Sequence, residues 1–373
     1  MPAVAKAFGA DRATTQLTLS VFVAGFAVSQ LVYGPLSDRF GRKLVLAAGV
    51  FVYLAASLAC IGAETIDQLM AYRFLQSLGA CAGPVLGRAV VRDIYGREGS
   101  ARMLAYMGAA MGFFPIVSPT LGGYLVVEFG WQAIFVVVSG YAALALLGTL
   151  VVLHETNRWR DPRATQPARL LSNYATLLGD RSFVGYTIVL SFIYVALFLF
   201  LSGSSLVLID SFGVAPQDFG MLFSVGVVCY VTGSLASGRL AARIGGDRLI
   251  LTGSVISVLA GLALVALALA GVADPFAIVG PMWLFTAGLG LVIPNGLAGA
   301  IGPHQTMAGT ASALVGFFQQ GSAALVAALV GAALEWSQMS VAFSVAGATL
   351  GGLAGFYAFV WRGHGRKRAA TLS

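Results

Sequence analysis

Residues 34–43 read Gly34-Pro35-Leu36-Ser37-Asp38-Arg39-Phe40-Gly41-Arg42-Lys43. The stretch joins an apolar run over 14–36 to a second over 44–62. Each run is close to the roughly 20 residues that a helix needs to cross a bilayer core. Gly34 and Gly41 permit a tight turn at the membrane surface. Asp38 offers a carboxylate that can pair with nearby arginines or with a helix N-terminus. Arg39, Arg42 and Lys43 retain the loop on the inner side, because segments flanked by Lys or Arg translocate poorly. A charged decapeptide between two such runs marks an all-α, polytopic membrane protein.

The pattern repeats outward from this loop. Eleven apolar runs cover roughly 14–36, 44–62, 68–91, 102–127, 132–153, 183–208, 218–241, 249–271, 276–299, 308–334 and 338–361. Of the 22 Lys and Arg residues, 19 fall into five clusters on alternate connections. The intervening connections carry Glu64, Asp67, Glu128, Asp210, Asp218, Asp274 and Glu335 and no Lys or Arg. With the N-terminal segment included, the two sides carry net charges of +12 and −6; Arg73 lies inside a run and completes the total of +7. The expected topology has residues 1–12 outside, the 154–182 connection inside and the C-terminus cytoplasmic.

Composition agrees. Hydrophobic residues make up 58% of the chain and charged residues 10%, with a mean hydropathy of +0.87; a soluble domain carries about 25% charged residues. The pI near 9.5 follows from topology. The cations are scattered over several loops, so no nucleic-acid partner is expected. Cys60, Cys81 and Cys229 lie inside apolar runs and read as small buried residues. His154, His304 and His364 have no neighbour at ligand spacing, so no metal and no cofactor is expected. Neither Gly-x-Ser-x-Gly nor His-Glu-x-x-His occurs, which argues against a membrane-embedded enzyme.

An internal repeat divides the chain. At a spacing of 204 residues, Gly34 meets Gly238, Arg39 meets Arg243 and Gly41 meets Gly245, whereas Asp38 meets Ala242. Two halves of the same orientation are a recognised transporter architecture. The expected organisation is an N-terminal transmembrane bundle over 1–153, a cytoplasmic central loop over 154–182, a six-helix C-terminal bundle over 183–361 and a basic cytoplasmic tail over 362–373. Equal halves call for one more helix before residue 14. Residues 1–12 are read as the outer end of that first helix, most of it missing from the sequence.

The loop Gly34-x-x-x-Asp38-Arg39-x-Gly41-Arg42-Lys43 resembles the signature loop of the major facilitator superfamily between its second and third helices. The resemblance implies two pseudo-symmetric helical bundles, with about eleven of the family's twelve helices present. It also implies a gate that stabilises the outward-facing state. Arg73-Phe74-Leu75-Gln76-Ser77-Leu78-Gly79-Ala80 resembles the fourth-helix motif, in which the arginine is assigned to proton coupling; Ser77 stands where the family has Gly. Arg73 and Gln76 are the coupling candidates on that basis. Gly108, Gly112, Pro115, Pro119, Gly122 and Gly123 resemble the fifth-helix motif of antiporters, with Ser118 in place of a Gly. Arg88 to Asp93, Leu153 to Asn157, and Gln16 with Gln30 are similar to the Bcr/CflA group of bacterial drug:proton antiporters.

Polar residues inside apolar runs need protein or water around them. Gln30, Tyr33, Asn295, Gln319 and Gln320 are therefore candidates for a central cavity, and interhelical hydrogen bonds are the other use for each. The interior of the runs holds no Asp or Glu. The expected function is export of small, largely apolar compounds or drugs in exchange for protons, by alternating access from a bacterial inner membrane. The expected partners are a small-molecule substrate, protons and the lipid bilayer, with the protein acting as a monomer. Export of sugars or other metabolites is the alternative.

Overall fold

The computed structural model describes residues 4, 7–9, 12–208, 212, 214, 216–272, 274–333 and 337–361. Among them every regular element is helical. The α-helices are α1 (Arg12–Phe40), α2 (Arg42–Ile61), α3 (Ile66–Ala80), α4 (Ala82–Phe129), α5 (Gln132–Val151), α6 (Pro167–Gly179) and α7 (Arg181–Leu206). They continue as α8 (Pro216–Ile244), α9 (Gly246–Leu269), α10 (Phe276–Ile301), α11 (Ala308–Ala333) and α12 (Gln338–Phe356). A 3₁₀ turn, Gln305–Met307, leads into α11, and a π-helical turn, Tyr357–Trp361, extends α12.

Eight segments among the described residues are long and apolar enough to cross a membrane. The remaining three apolar runs fall on α1, on α4 beyond Gly96 and on α11. Helix α5 shows what surrounds them. Phe135, Ser139, Ala142 and Thr149 are its buried residues, whereas Leu144 is 71% exposed and Val151 69%. A helix that turns its aliphatic side chains outward and closes its backbone hydrogen bonds internally suits a hydrocarbon solvent.

The repeat reappears in backbone geometry. Gly41 has φ +100 and Gly245 φ +91, and each sits at a one-residue joint between successive helices. The Gly41 N–H donates to the Ser37 carbonyl and the Gly245 N–H to the Ala241 carbonyl, both at 3.1 Å. Positive φ costs a side-chain-bearing residue dearly, so glycine recurs at both joints.

Between the third and fourth runs two helical segments of α4 meet at a sharp, non-helical joint at Gly96 (φ 65, ψ −168). One expectation needs correction: the 154–182 segment contains a helix, α6. Leu170, Leu171, Tyr174, Leu177 and Leu178 recur at helical spacing in only 13 residues. A search for spans of about 20 apolar residues passes over so short an amphipathic helix.

Packing forms two compact units. The first comprises Met1–Ile94, Val117–Tyr174 and His304–Phe317. Its core gathers Val45, Cys81, Ala82, Val85, Leu86 and Ala313, with Tyr33 and Leu36 against them; a second cluster holds Cys60, Leu69, Trp131 and Phe135. The second unit comprises Tyr95–Ile116, Ala175–Pro303 and Phe318–Ser373. There α9 and α10 meet at backbone distance, and a methyl group on Gly253 would lie 2.6 Å from the Gly288 carbonyl oxygen. Small residues permit such approach where no hydrophobic effect drives helices together.

Candidate functional site

The loop between α1 and α2 is built around two buried charges. Asp38 and Arg42 are each 1% exposed. Four residues apart across the Gly41 joint, they pair directly: Arg42 Nη1 donates to Asp38 Oδ1 at 2.6 Å. The same nitrogen reaches Ser37 Oγ at 2.7 Å, and Arg42 Nε donates to Asp93 Oδ2 at 2.9 Å. Burying an ion costs several kcal/mol unless its hydrogen-bonding capacity is met. Arg42 meets that cost with two carboxylates and a hydroxyl.

Asp38 has further donors on the N-terminus of α11. Its Oδ1 accepts the Gly309 N–H at 3.1 Å; its Oδ2 accepts the Thr310 N–H at 2.9 Å and Thr310 Oγ1 at 2.6 Å. The first amides of a helix have no intrahelical partner and lie at the positive end of its dipole. A carboxylate there satisfies both needs. The approach is close because the contact is lined with small residues: a methyl group on Gly34 would lie 2.5 Å from the Gly309 carbonyl oxygen and 2.7 Å from the Ala313 Cβ.

The chain after α5 wraps the same loop. Glu155 Oε1 accepts the Arg42 N–H at 2.9 Å and the Asn157 N–H at 2.8 Å, and Glu155 Oε2 pairs with Arg160 at 3.1 Å. Asn157 Nδ2 donates to the Ser37 and Asp38 carbonyls at 3.1 and 3.2 Å. The Asp161 N–H donates to the Asp38 carbonyl at 3.0 Å. Burial pushes the Glu155 carboxyl up, but the Asn157 and Arg42 amides and the Arg160 charge outweigh it and hold it below the usual carboxylate range. Tyr174 of α6 donates to the Leu31 carbonyl at 2.9 Å; burial and the Asp38 charge raise its phenol. Arg39 is exposed, donates to Thr165 and lies 4.8 Å over the Phe40 ring. Lys43 donates to the Leu150 carbonyl at the end of α5, at 2.8 Å.

Asp93, Glu155 and Asn157 entered the sequence reading only as points of family similarity. Their convergence on Arg42 and Asp38 was not foreseen. The repeat spacing shows where a loop recurs, but not which distant residues pack on it.

Arg73 lies elsewhere in the first unit. Its Nη1 donates to Gln76 Oε1 at 3.0 Å, and Gln76 Nε2 donates to Ser57 Oγ at 2.7 Å. The guanidinium carbon stands 4.5 Å from the Phe22 ring centre. Among the described residues Arg73 makes no ion pair.

Gln30 is 2% exposed and its Oε1 has no partner; a methyl group on Gly316 would strike that oxygen and the Arg88 guanidinium. Tyr33 packs on the first unit's core. The other three cavity candidates belong to the second unit. Asn295 Nδ2 donates across to Ser237 Oγ on α8 and, within α10, to the Leu291 carbonyl, both at 2.7 Å, while its Oδ1 stays unpartnered. Gln319 is buried and Gln320 half-buried on α11. Of the antiporter-like run, Gly112, Pro115, Pro119 and Gly123 lie outside the residues described in side-chain detail, and Gly122 faces open space. The tail beyond 361 also lies outside the described residues.

The model of the Major Facilitator Superfamily matches residues 1–328. The chain belongs to that superfamily. It is 30% identical over 333 residues to the MFS-type transporter YdgK of Bacillus subtilis, covering 88% of this chain and 82% of the relative. It is 28% identical to the bicyclomycin resistance protein homolog of Haemophilus influenzae, over 88% of this chain and 82% of that protein. With the multidrug resistance protein D of Escherichia coli the identity is 27%, over 84% and 78%. These relatives agree with the Bcr/CflA resemblance. Among solved structures, the proton:xylose symporter XylE superposes with a TM-score of 0.73 at 13% identity, over 92% of this chain and 85% of that one. The human organic anion transporter MFSD10 gives 0.71 at 18%, over 92% and 82%. At these identities the two structures establish the shared fold alone. The protein is thus a multi-pass membrane transporter.

Proposed function

We propose that this transporter exports small, largely apolar compounds from the bacterial cytoplasm across the inner membrane in exchange for protons, acting as a monomer. The single observation that carries its mechanism is the buried Asp38 carboxylate, held by Arg42 and by the first amides of α11. Alternating access needs two states and contacts that differ between them. A carboxylate between a guanidinium and a helix N-terminus is such a contact: strong when made, and released as one piece when α11 withdraws. Asp38 and Arg42 belong to the first sequence half and α11 to the second, so the latch ties the halves together in one state. The charge asymmetry of the loops supports placing this latch, the 154–182 segment and the C-terminus on the cytoplasmic side.

Drug export is supported by the names of the bicyclomycin and multidrug resistance relatives. Arg73 with Gln76 is the pair we assign to proton coupling; an arginine in a helix interior is costly and calls for a function. The test is a susceptibility panel in a pump-deficient host, together with dye efflux from loaded cells. Expression should lower drug accumulation, and an uncoupler should abolish the effect. Accumulation unchanged by expression across a broad panel, or efflux indifferent to the proton gradient, would overturn the proposal.

A further inference from the structure

Beside the Asp38 loop lies a cavity of about 420 Å³ lined by Arg158, Arg160 and Arg169, by Asp161 and Asn173, and by Thr306. It falls within the range of about 300–1,000 Å³ typical of small-molecule sites. Its lining is unlike an apolar drug pocket. Arg160 pairs with Glu155 and Arg169 with Asp161 at 3.2 Å, whereas Arg158 makes no ion pair among the described residues. Each guanidinium carries five N–H donors, and a single ion pair leaves most of them unused. Three such forks around one space match the oxygens of a phosphate, which guanidinium groups recognise in a bidentate manner. Asn173, 6% exposed on α6, adds a polar side chain to the wall.

We infer that this cavity binds a phosphate-bearing anion, and that its occupancy favours the state in which Asp38 holds α11. The second part rests on the latch reading above; the first does not. Thr306 belongs to the 3₁₀ turn that leads directly into α11, three and four residues before the Gly309 and Thr310 amides that Asp38 accepts. Asp161, on the opposite side in sequence, donates its N–H to the Asp38 carbonyl. An anion drawn to Arg158 and Arg169 beside Thr306 therefore joins the segments that the latch already brings together. A ligand that binds one state better shifts the equilibrium toward it, and the latch in turn strengthens the binding. Trp159, which also lines the cavity and is 44% exposed, suits a position at headgroup level. A phospholipid headgroup and a free phosphate share the required chemistry.

The experiment uses the full chain purified in detergent in phosphate-free buffer. Its melting temperature is followed against inorganic phosphate and, separately, against short-chain phosphatidylglycerol below its micelle concentration. Sodium chloride at matched ionic strength and short-chain phosphatidylcholine serve as controls. A saturable rise with phosphatidylglycerol alone assigns the site to a headgroup, and a rise with phosphate assigns it to the free anion; either supports the site. Arg158→Gln and Arg169→Gln should each weaken that response about ten-fold or more, the size of a lost charge-assisted bond. No response to either probe, or an equal response in the double variant with its unliganded melting temperature intact, would overturn the site. Asp38→Asn should weaken the apparent affinity. An affinity unchanged by Asp38→Asn but lost in Arg158→Gln would keep the site and remove the coupling.

Discussion

Thr310 gives Asp38 two donors from one residue: its N–H meets Oδ2 at 2.9 Å and its Oγ1 meets the same oxygen at 2.6 Å. With the Gly309 N–H and Arg42 Nη1 on Oδ1, every contact to the carboxylate comes from a donor. An amide at this position would turn an NH₂ toward N–H or O–H groups. Asp38→Asn is therefore expected to keep the protein in the membrane and reduce transport about ten-fold or more, the weight of one charge-assisted hydrogen bond. Thr310→Val should reduce it less, because the backbone N–H remains. The double variant should fall short of the sum, since residues sharing one contact couple. Additive losses in a double-mutant cycle would show that the two act independently.

The same contact depends on bare backbone. A methyl group on Gly34 would lie 2.5 Å from the Gly309 carbonyl oxygen, so Gly34→Ala must push α11 away from α1. Loss of transport with normal expression is the expected result. Gly148→Ala on α5, where nothing lies within 4 Å, serves as the control and should be nearly silent. Equal activity of the two variants would mean that the approach of α1 and α11 carries no function.

Much of this was legible in the chain, and for physical reasons. Period-free apolar runs and alternating cation clusters report the bilayer directly, because insertion acts on local sequence. Gly41 and Gly245 share a positive φ across the repeat, a backbone need that spacing alone exposed. What stayed hidden is non-local. Asp93, Glu155 and Asn157 lie 51, 113 and about 120 residues from the groups they bind around Arg42 and Ser37, and no periodicity encodes such pairings. Helix α6 was missed because 13 amphipathic residues look like a polar loop to a span-length criterion. Asn295, read as a cavity candidate, gives its amide to Ser237; a polar residue in an apolar run signals a partner without naming it.

Glu155 sets a pH dependence for the loop. Its carboxyl is held below the usual range, so it stabilises the fold fully above its unfolded value of about 4.3. That stabilisation is lost as pH falls through the lower folded value. The gap in melting temperature between the wild type and Glu155→Gln should accordingly be widest near neutral pH and close below about pH 4. A gap independent of pH would remove the ionised Glu155 from the stabilising network.

Sidedness follows from the loop charges. Ser172 on α6 is exposed, and the net +12 of the basic connections predicts that it faces the cytoplasm. A cysteine introduced by Ser172→Cys should resist a membrane-impermeant maleimide in intact cells and react in inverted vesicles. Labelling in intact cells would reverse the orientation and move the Asp38 latch to the outer face.

Arg73 separates coupling from anchoring. Its contacts include Gln76 Oε1 and the Phe22 and Phe135 rings, and among the described residues it makes no ion pair. A cation held by an amide and an aromatic face is available to a titrating group that comes near it during the cycle, lowering that group's pKa in one state and not in the other. Arg73→Ala removes this influence and leaves Gln76 its bond to Ser57, so folding should survive. The expected outcome is loss of uphill, gradient-driven export with retention of substrate exchange down its own gradient. Arg73→Lys, a compact cation without the planar fork, should restore part of the uphill activity and shift its pH profile. Full gradient-driven export by Arg73→Ala would instead make the arginine a packing element that fixes α3 through Gln76.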